Sequence, residues 1–493
     1  MVVAKMRWAA EGDDDHRLPG GKRAASLGIL AFEAATTMAK LLSLSRSLSE
    51  KEVAKLRSHA MRAAGVEYLS STDQSFLLRL ACAEAVAALD AAAAAVARLG
   101  ARCGLDFAGP YTSLKAGAPD ARLDQFVARG LKVKAKRMER LVAATAKLCA
   151  EMEALDELEA AEQKLARRGW GRLSGPIPSP AATAAAAGDA LHLDIRAQRA
   201  RVRRLKEESL WSQSYEKVVI LMARAACAAF VRVCVIFGAN VPGLPPPLPP
   251  TDAVHSRLCK LLLHPMSAAA AAVAAQPRSL SGPIQRRDVP LRIEMSSNSC
   301  PIIRSQWQQP GKTPPGADYW RKLLEPPPGT VGGAGLDLQY ANVITTAERL
   351  LLETGAEGRH EEAREELYAM LPSKPRAAVR AKLRGWWRER GAGAGAAPPL
   401  DAGLAEGWRS AAGRILAWLA PMARDTARWH AERSMDRRRR FEVGGGGARA
   451  WALQTLRWAD AEKAEAAVVE VLVALSCVCW YEERRRREAS LRL

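Results

Sequence analysis

Residues 131–155 read LKVKAKRMERLVAATAKLCAEMEAL, and their spacing decides the fold class. Leu131, Met138, Leu141, Thr145, Leu148, Met152 and Leu155 recur in steps of seven, three and four. Such steps place every one of these side chains on a single stripe of an α-helix, whereas a strand would throw successive ones onto opposite faces. The stripe is narrow and bordered by Lys, Arg and Glu, the pattern of a coiled-coil-like seam. One long amphipathic helix is therefore expected over about 120–168. A Gly/Pro/Ser/Ala linker follows at 169–188. A second long helix is expected from about 189 to 238, through Ile195, Val202 and Leu205. Two long helices across a short link predict an antiparallel hairpin.

Working outward, the same periodicity appears on both sides. Leu27, Leu30, Ala34, Met38 and Leu41 share one helical face. Ser49 with Glu52, and Ser71 with Gln74, have the spacing of capping boxes and should each open a helix. The second of these runs through Phe76, Leu77 and Leu80 into an alanine-rich tract. Near the other end, Leu336, Tyr340, Val343, Ala347 and Leu350 form one face, and further helices are expected at 359–370, 374–388, 401–440 and 449–486. Trp408, Ile415, Trp418, Met422 and Trp429 line the third of these, which Pro421 should kink. Eight of the chain's 13 tryptophans follow residue 380, which places the best-packed core there.

The resulting expectation is an all-α chain of two helical bundle domains and a long central helical hairpin, joined by disordered linkers. Residues 1–23 form a polar, disordered arm and 24–117 an N-terminal unit. Residues 118–240 form the hairpin with its linker at 169–188. A Pro/Ala/Ser-rich linker with a short helix covers 241–329, and the C-terminal unit covers 330–488. Strand-length runs of β-branched and aromatic residues are scarce, and aromatic residues are only 5% of the chain.

The 493 residues carry a formal charge of +20. A balance this basic implies acidic partners: an acidic protein surface, nucleic acid or an anionic membrane face. The charge is partly concentrated. Arg437, Arg438, Arg439 and Arg440 form one run, and Arg484, Arg485, Arg486 and Arg487 another. Lys132, Lys134, Lys136, Arg137 and Arg140 make a third cluster, and Arg199, Arg201, Arg203, Arg204 and Lys206 a fourth. Short runs of this kind are read by nuclear import receptors or contact phosphates. A run at a helix C-terminus also simply stabilises the helix dipole. Nucleic-acid binding lacks a reader motif, and along the sequence aromatic residues do not alternate with the basic runs as stacking platforms would.

No catalytic, cofactor or metal site is expected. The nine cysteines include no CxxC pair, and no Cys/His group has zinc-ligand spacing. Odd in number and scattered, they read as reduced, intracellular and mostly buried. His360 precedes Glu361 and Glu362, but no second histidine follows at the metalloprotease spacing. Glu361, Glu362, Glu365 and Glu366 read as a solvated helix face, and no nucleophile elbow appears. The glycine-rich stretch Gly329 to Gly335 lacks the lysine of a phosphate loop and reads as a flexible lead into a helix. The proline segment 242–250 reads as an extended spacer. Leu-Ser-Gly-Pro-Ile occurs at 173–177 and again at 280–284, in linker both times, as a docking motif or as compositional drift.

No transmembrane segment is expected. Val218 to Phe237 contains Arg224 and Arg232, each costing about 2.5–3.5 kcal/mol at bilayer depth. Ala466 to Trp480 carries Glu470 and is short for a span. The first residues lack a secretory leader.

Several strings are more specific than periodicity. Gly28-Ile29-Leu30-Ala31-Phe32-Glu33-Ala34 opens the first unit. Ser71, Asp73, Leu77 and Leu78 follow, then Gly100-Ala101-Arg102-Cys103. The C-terminal unit has Thr330-Val331-Gly332-Gly333-Ala334-Gly335-Leu336, then Tyr340-Ala341-Asn342-Val343-Ile344, Leu371-Pro372, and Trp429 with Glu432, Arg433 and Ser434. It closes on Leu453-Gln454-Thr455-Leu456, Ala459-Asp460, Glu462-Lys463 and Glu465-Ala466. This order resembles the plant phytosulfokine-simulator family, whose members carry two uncharacterised helical domains in tandem around a variable middle. The resemblance covers roughly 24–117 and 330–486. It implies a plant intracellular regulator, placed in the nucleus, that promotes growth in phytosulfokine peptide-hormone responses through protein partners. It assigns no catalytic residues. Members related to the founding group begin Met-Gly, whereas Val2 stands here, so N-myristoylation is not expected. The competing expectation is a peripheral membrane scaffold held by the basic surface, in the cytoplasm or at the inner face of the plasma membrane.

Overall fold

A computed structural model describes residues 26–117, 122, 131–171, 181–238, 241, 244, 317–352, 360–391, 402–433, 441 and 449–490. The described residues are helical, with no strand and only two isolated bridges, Ser26 to Ser214 and Thr330 to Asp460. The all-α expectation is met.

The N-terminal unit contains α1 (Ala31–Ser47), α2 (Glu50–Ser58), α3 (Ala64–Leu69), α4 (Gln74–Arg102) and α5 (Ala108–Ala116). Ser49 caps α2 as its spacing predicts, accepting from the Glu52 N–H at 3.4 Å. The cap of α4 lies two residues later than expected. Ser71 Oγ accepts from the Asp73 N–H at 3.0 Å, and Asp73 Oδ1 accepts from the Ser75 N–H at 2.9 Å. Asp73 is the better cap because its carboxylate also meets the positive end of the helix dipole. Alanines at 81, 83, 85, 92 and 93 in α4 are all buried, so neighbouring helices can approach it closely.

The central helices are α6 (Leu131–Gly171), α7 (Ala181–Glu208) and α8 (Tyr215–Phe237). Of the seam residues, all those whose side chains are described, Met138 through Leu155, are buried. Across the hairpin, Gln198 Nε2 donates to the Glu151 carbonyl at 2.8 Å, while Arg199 pairs with Glu159 and His192 with Glu162. Thr145 against Leu210, Glu151 against Gln198 and Glu162 against His192 run in opposite chain directions, so α6 and α7 are antiparallel. Leu148, Met152, Leu155, Ile195, Val202 and Leu205 form a small core of their own.

Two expectations for this region are corrected. The helix expected to run unbroken from 189 to 238 stops at Glu208 and restarts at Tyr215. Ser209 turns back to accept from the Trp211 N–H at 3.2 Å, and Thr145 of α6 accepts from the Leu210 N–H at 3.1 Å. Local serine bonds of this kind compete with helix continuation. Past this elbow the chain leaves the hairpin, and α8 packs into the N-terminal bundle against α1 and α4. The expected linker 169–188 is likewise helical to Gly171 and again from Ala181.

The C-terminal unit contains α9 (Ala317–Leu323), α10 (Asp337–Leu352), α11 (His360–Met370), α12 (Ser373–Gly391), α13 (Ala402–Arg433) and α14 (Ala461–Ser490). It begins before Thr330: α9 falls in the stretch read as linker, and its Trp320 and Leu323 are buried. The helix expected from 449 is two short 3₁₀ turns, Ala452–Gln454 and Leu456–Trp458, before α14. Thr455 Oγ1 accepts from the Arg457 N–H, and Asp460 Oδ1 accepts from the N–H groups of Glu462 and Lys463 to start α14. The glycine-rich stretch is a built turn rather than a flexible lead. Its Val331 N–H donates to the Ala459 carbonyl at 2.8 Å and its Gly332 N–H to the Arg457 carbonyl at 3.1 Å. A Cβ on Gly332 would lie 2.4 Å from that same oxygen, so the approach requires glycine.

Three helices, α4, α8 and α14, are long and apolar enough to cross a membrane by length and composition, including the two segments judged unsuitable above. Here they form the core, with 61–67% of each apolar window buried. Arg232 of α8 donates Nε to the Leu48 carbonyl at 2.5 Å, and Arg57 donates to the Ile236 carbonyl at 2.8 Å, so each arginine closes a helix C-terminus. Both 24–117 and 330–488 feed one continuous core. The N-terminal expectation for 1–23, most of 241–316, and both copies of Leu-Ser-Gly-Pro-Ile lie outside the described residues.

Candidate functional site

The most heavily built polar arrangement among the described residues joins the two units. Glu84 sits on the buried face of α4 with 3% of its surface exposed. Its Oε1 accepts from Trp429 Nε1 at 3.1 Å and from the guanidinium groups of Arg433 and Arg449. Its Oε2 accepts from the Ala452 N–H at 2.6 Å. Trp429 and Arg433 come from the end of α13, while Arg449 and Ala452 precede α14. One carboxylate of the first unit thus gathers two segments of the second. A buried carboxylate left unpaired would be strongly disfavoured, which is why four donors surround it.

Trp429 is the organising ring. The Arg433 guanidinium stacks 3.8 Å from its centroid and that of Arg457 lies 5.3 Å away. Burial pushes the Arg433 guanidinium below its ordinary pKa, and the facing Glu84 charge raises it again. His430 extends the network, with Nε2 2.8 Å from Oδ2 of buried Asp337 at the start of α10.

A second contact lies along α3. Gly65 meets α13 so closely that a Cβ would stand 2.6 Å from Met422 Sδ and from the Trp418 carbonyl. Tyr68 packs edge-on against Trp418 at 5.2 Å. The Leu69 carbonyl accepts from the Asp460 N–H at 2.7 Å, and the Tyr68 carbonyl from Lys463 Nζ at 3.3 Å. Phe76 meets fully buried Trp458 at 6.1 Å.

Both Glu84 oxygens are occupied by donors, and among the described residues no three His, Cys, Asp or Glu side chains converge as a metal site. Glu84 was not singled out by the sequence reading. The available signal was a lone carboxylate seven residues after Leu77 on an otherwise apolar helical face.

The basic runs fare differently. Arg437, Arg438, Arg439 and Arg440 lie outside the described residues, in the segment whose flanking residues Arg433 and Arg449 meet at Glu84. Arg484 to Arg487 occupy the penultimate turns of α14. Arg484 bonds Glu488 at 3.1 Å and lies over the Trp480 ring, Arg485 pairs with Glu482 at 3.6 Å, and Arg486 and Arg487 are exposed. The cluster on α7 is largely answered by acids: Arg199 by Glu159, Arg201 by Glu151 and Arg204 by Glu208. Of the α6 cluster, Lys136, Arg137 and Arg140 are exposed, and the side chains of Lys132 and Lys134 lie outside the described residues. Glu362, Glu365 and Glu366 are exposed as expected of a solvated face. The fold sets aromatic rings beside one of the basic runs. Trp386 and Trp387 of α12 meet Trp480 of α14 at 5.9 and 4.9 Å, beside Arg484.

Comparison with known proteins matches two family models, "Domain of unknown function (DUF3475)" at residues 29–85 and "Protein of unknown function (DUF668)" at residues 330–428. Glu84 falls inside the first match, and Trp429 follows the last residue of the second. The chain is 28% identical over 246 residues to Protein PSK SIMULATOR 1 of Arabidopsis thaliana, covering 48% of this chain and 36% of that relative. It is 30% identical over 219 residues to Protein PSK SIMULATOR 3 of the same plant, covering 43% and 32%, and 25% identical over 240 residues to Protein PSK SIMULATOR 2, covering 44% and 34%. The matches thus span about a third of the length of these relatives. No solved structure matches the chain. The resemblance to the phytosulfokine-simulator family, drawn from the strings quoted above, is borne out.

Proposed function

We propose that this chain, similar in both its helical regions to the PSK simulator proteins, is a non-catalytic plant adaptor that promotes growth in the phytosulfokine response. It acts by holding protein partners on a rigid helical body, and its place of work is the nucleus. The observation that carries the reading is the coincidence of the two family matches with the two halves of one seam. Glu84 from the first region is bound by the segment that directly continues the second. A pair of regions built to be held together presents a composite surface, which is what an adaptor needs. The likeness to proteins named PSK simulators supplies the pathway.

The reading is tested in Arabidopsis seedlings disrupted in the three relatives. Expression of the wild-type chain is expected to restore root growth, and a fold-intact chain that leaves growth unchanged would sink it. Nuclear entry is assigned to an import receptor acting on Arg437–Arg440 or Arg484–Arg487. A fluorescent fusion should accumulate in nuclei, and alanine at all eight positions should exclude it. A fusion that is cytoplasmic or peripheral before the change overturns the nuclear placement.

A further inference from the structure

We infer that the exposed arginine ridge centred on Trp387 is a docking face for an acidic helical segment of a protein partner; this deepens the adaptor reading and rests on it. On α12, Lys374, Lys382 and Arg376 are each bound within the chain. Lys374 pairs with Glu465, Lys382 with Glu470, and Arg376 donates to the carbonyls of Ala369 and Leu371. Arg380, Arg384 and Arg388 stand instead on its exposed side at four-residue steps, with no ion pair among the described residues. At 1.5 Å per residue these charges repeat about every 6 Å along the helix.

Nearby acids do not answer them. Glu482 is held by Arg409 and Arg485, Glu483 by Arg364, and Glu488 by Arg484. Trp387 lies on the same stripe, three and one residues from Arg384 and Arg388, and is 39% exposed. Its ring is held by Trp386 at 4.5 Å and Trp480 at 4.9 Å, so little side-chain freedom remains to be lost on binding. Arg484 over Trp480 and exposed Arg487 continue the positive ridge onto α14.

The chemistry selects the occupant. Carboxylates at four-residue steps on a partner helix repeat with the same 6 Å spacing as the arginines (about one turn). A rigid tryptophan flanked by arginines is the composition of a protein-interface anchor. A bilayer would ask for several apolar side chains to enter it, and Trp387 is the one exposed large hydrophobic on this ridge among the described residues.

The test uses the full chain and a fluorescein-labelled 18-residue helical peptide with glutamate at every fourth position and leucine between. Anisotropy titrations at physiological salt are run on wild type, on R384E/R388E, on W387A, and on R196E/R203E, which makes the same charge change on exposed α7 positions. Circular dichroism verifies that each variant is folded. The ridge reversal is expected to weaken binding at least tenfold, W387A several-fold and the α7 reversal less than twofold. Equal losses from the two charge reversals, or no loss from R384E/R388E, overturn the assignment. Phosphatidylserine-containing vesicles and a 20-base-pair duplex are titrated alongside. Either of them binding through the ridge while the peptide fails to bind overturns the acidic-helix occupant. Because the growth assay above does not use this peptide, failure of the ridge and failure of the adaptor reading are told apart.

Discussion

Glu84 draws its donors from positions 429, 433, 449 and 452, more than 340 residues along the chain in each case. Removing it leaves two guanidiniums, an indole N–H and a backbone N–H at a site that water does not reach freely. Breaking a buried ion pair by deleting one partner costs about 3–5 kcal/mol, mostly because the survivors are left uncompensated. Glu84→Ala is therefore expected to lower the unfolding free energy from urea titration by an amount in that range, read by circular dichroism. Glu84→Gln should cost less, since its one amide oxygen still accepts on one side of the site, while its NH2 faces the donors on the other. An unfolding free energy for Glu84→Ala within about 0.5 kcal/mol of wild type would show that the network contributes nothing. At this scale the sequence was only partly legible. Trp429 and Arg433 stood among the specific strings, but their common partner lay in a tract whose composition reads simply as alanine-rich helix. Pairing at that separation is a property of packing, and no spacing rule reaches it.

The helices themselves were far more legible, because each depends on a pattern a few residues long. The stripe from Leu131 to Leu155 predicted a buried seam, and its described side chains, Met138 to Leu155, are buried. The failures lie at breaks and ends. Ser209 and Ser214 interrupt a run whose apolar spacing continues on both sides, and Thr145, 64 residues away from Ser209, completes the elbow. Trp320 and Leu323 belong to a helix too short to announce itself by periodicity. The hairpin has its own small core, so it should respond as a local unit. Leu148, fully buried there, provides the measurement. Leu148→Ala is expected to cost about 2–5 kcal/mol. In hydrogen exchange, amides of 148–162 and 191–205 should lose protection first, with α4 and α14 retaining theirs at low denaturant. Uniform loss across all four segments would mean that the hairpin does not open separately.

At the scale of the molecule, the sequence divides into two specific regions and a variable middle, which reads as separate domains. Packing gives a different unit. One continuous core contains Leu77 and Leu80 of α4, Val233 of α8, Leu419 of α13 and Leu472 of α14. Gly65 on α13, Phe76 on Trp458 and Glu84 on Arg433 cross between the regions at three places. If these crossings make the two regions one cooperative body, thiols packed into the N-terminal bundle and into the C-terminal region should become reactive through the same opening. Burial holds the Cys227 thiol of α8 up at about 12 and raises that of Cys479 in α14. Thiolate, the reactive form, is therefore scarce at both while the protein is folded. Alkylation under native conditions, followed by mass spectrometry, should give Cys227 and Cys479 the same opening free energy within the error of the measurement. Glu84→Ala should then accelerate both by the same factor, although neither cysteine touches Glu84. Acceleration at Cys479 alone would show instead that the C-terminal region opens by itself, with the seam acting as a latch on one side.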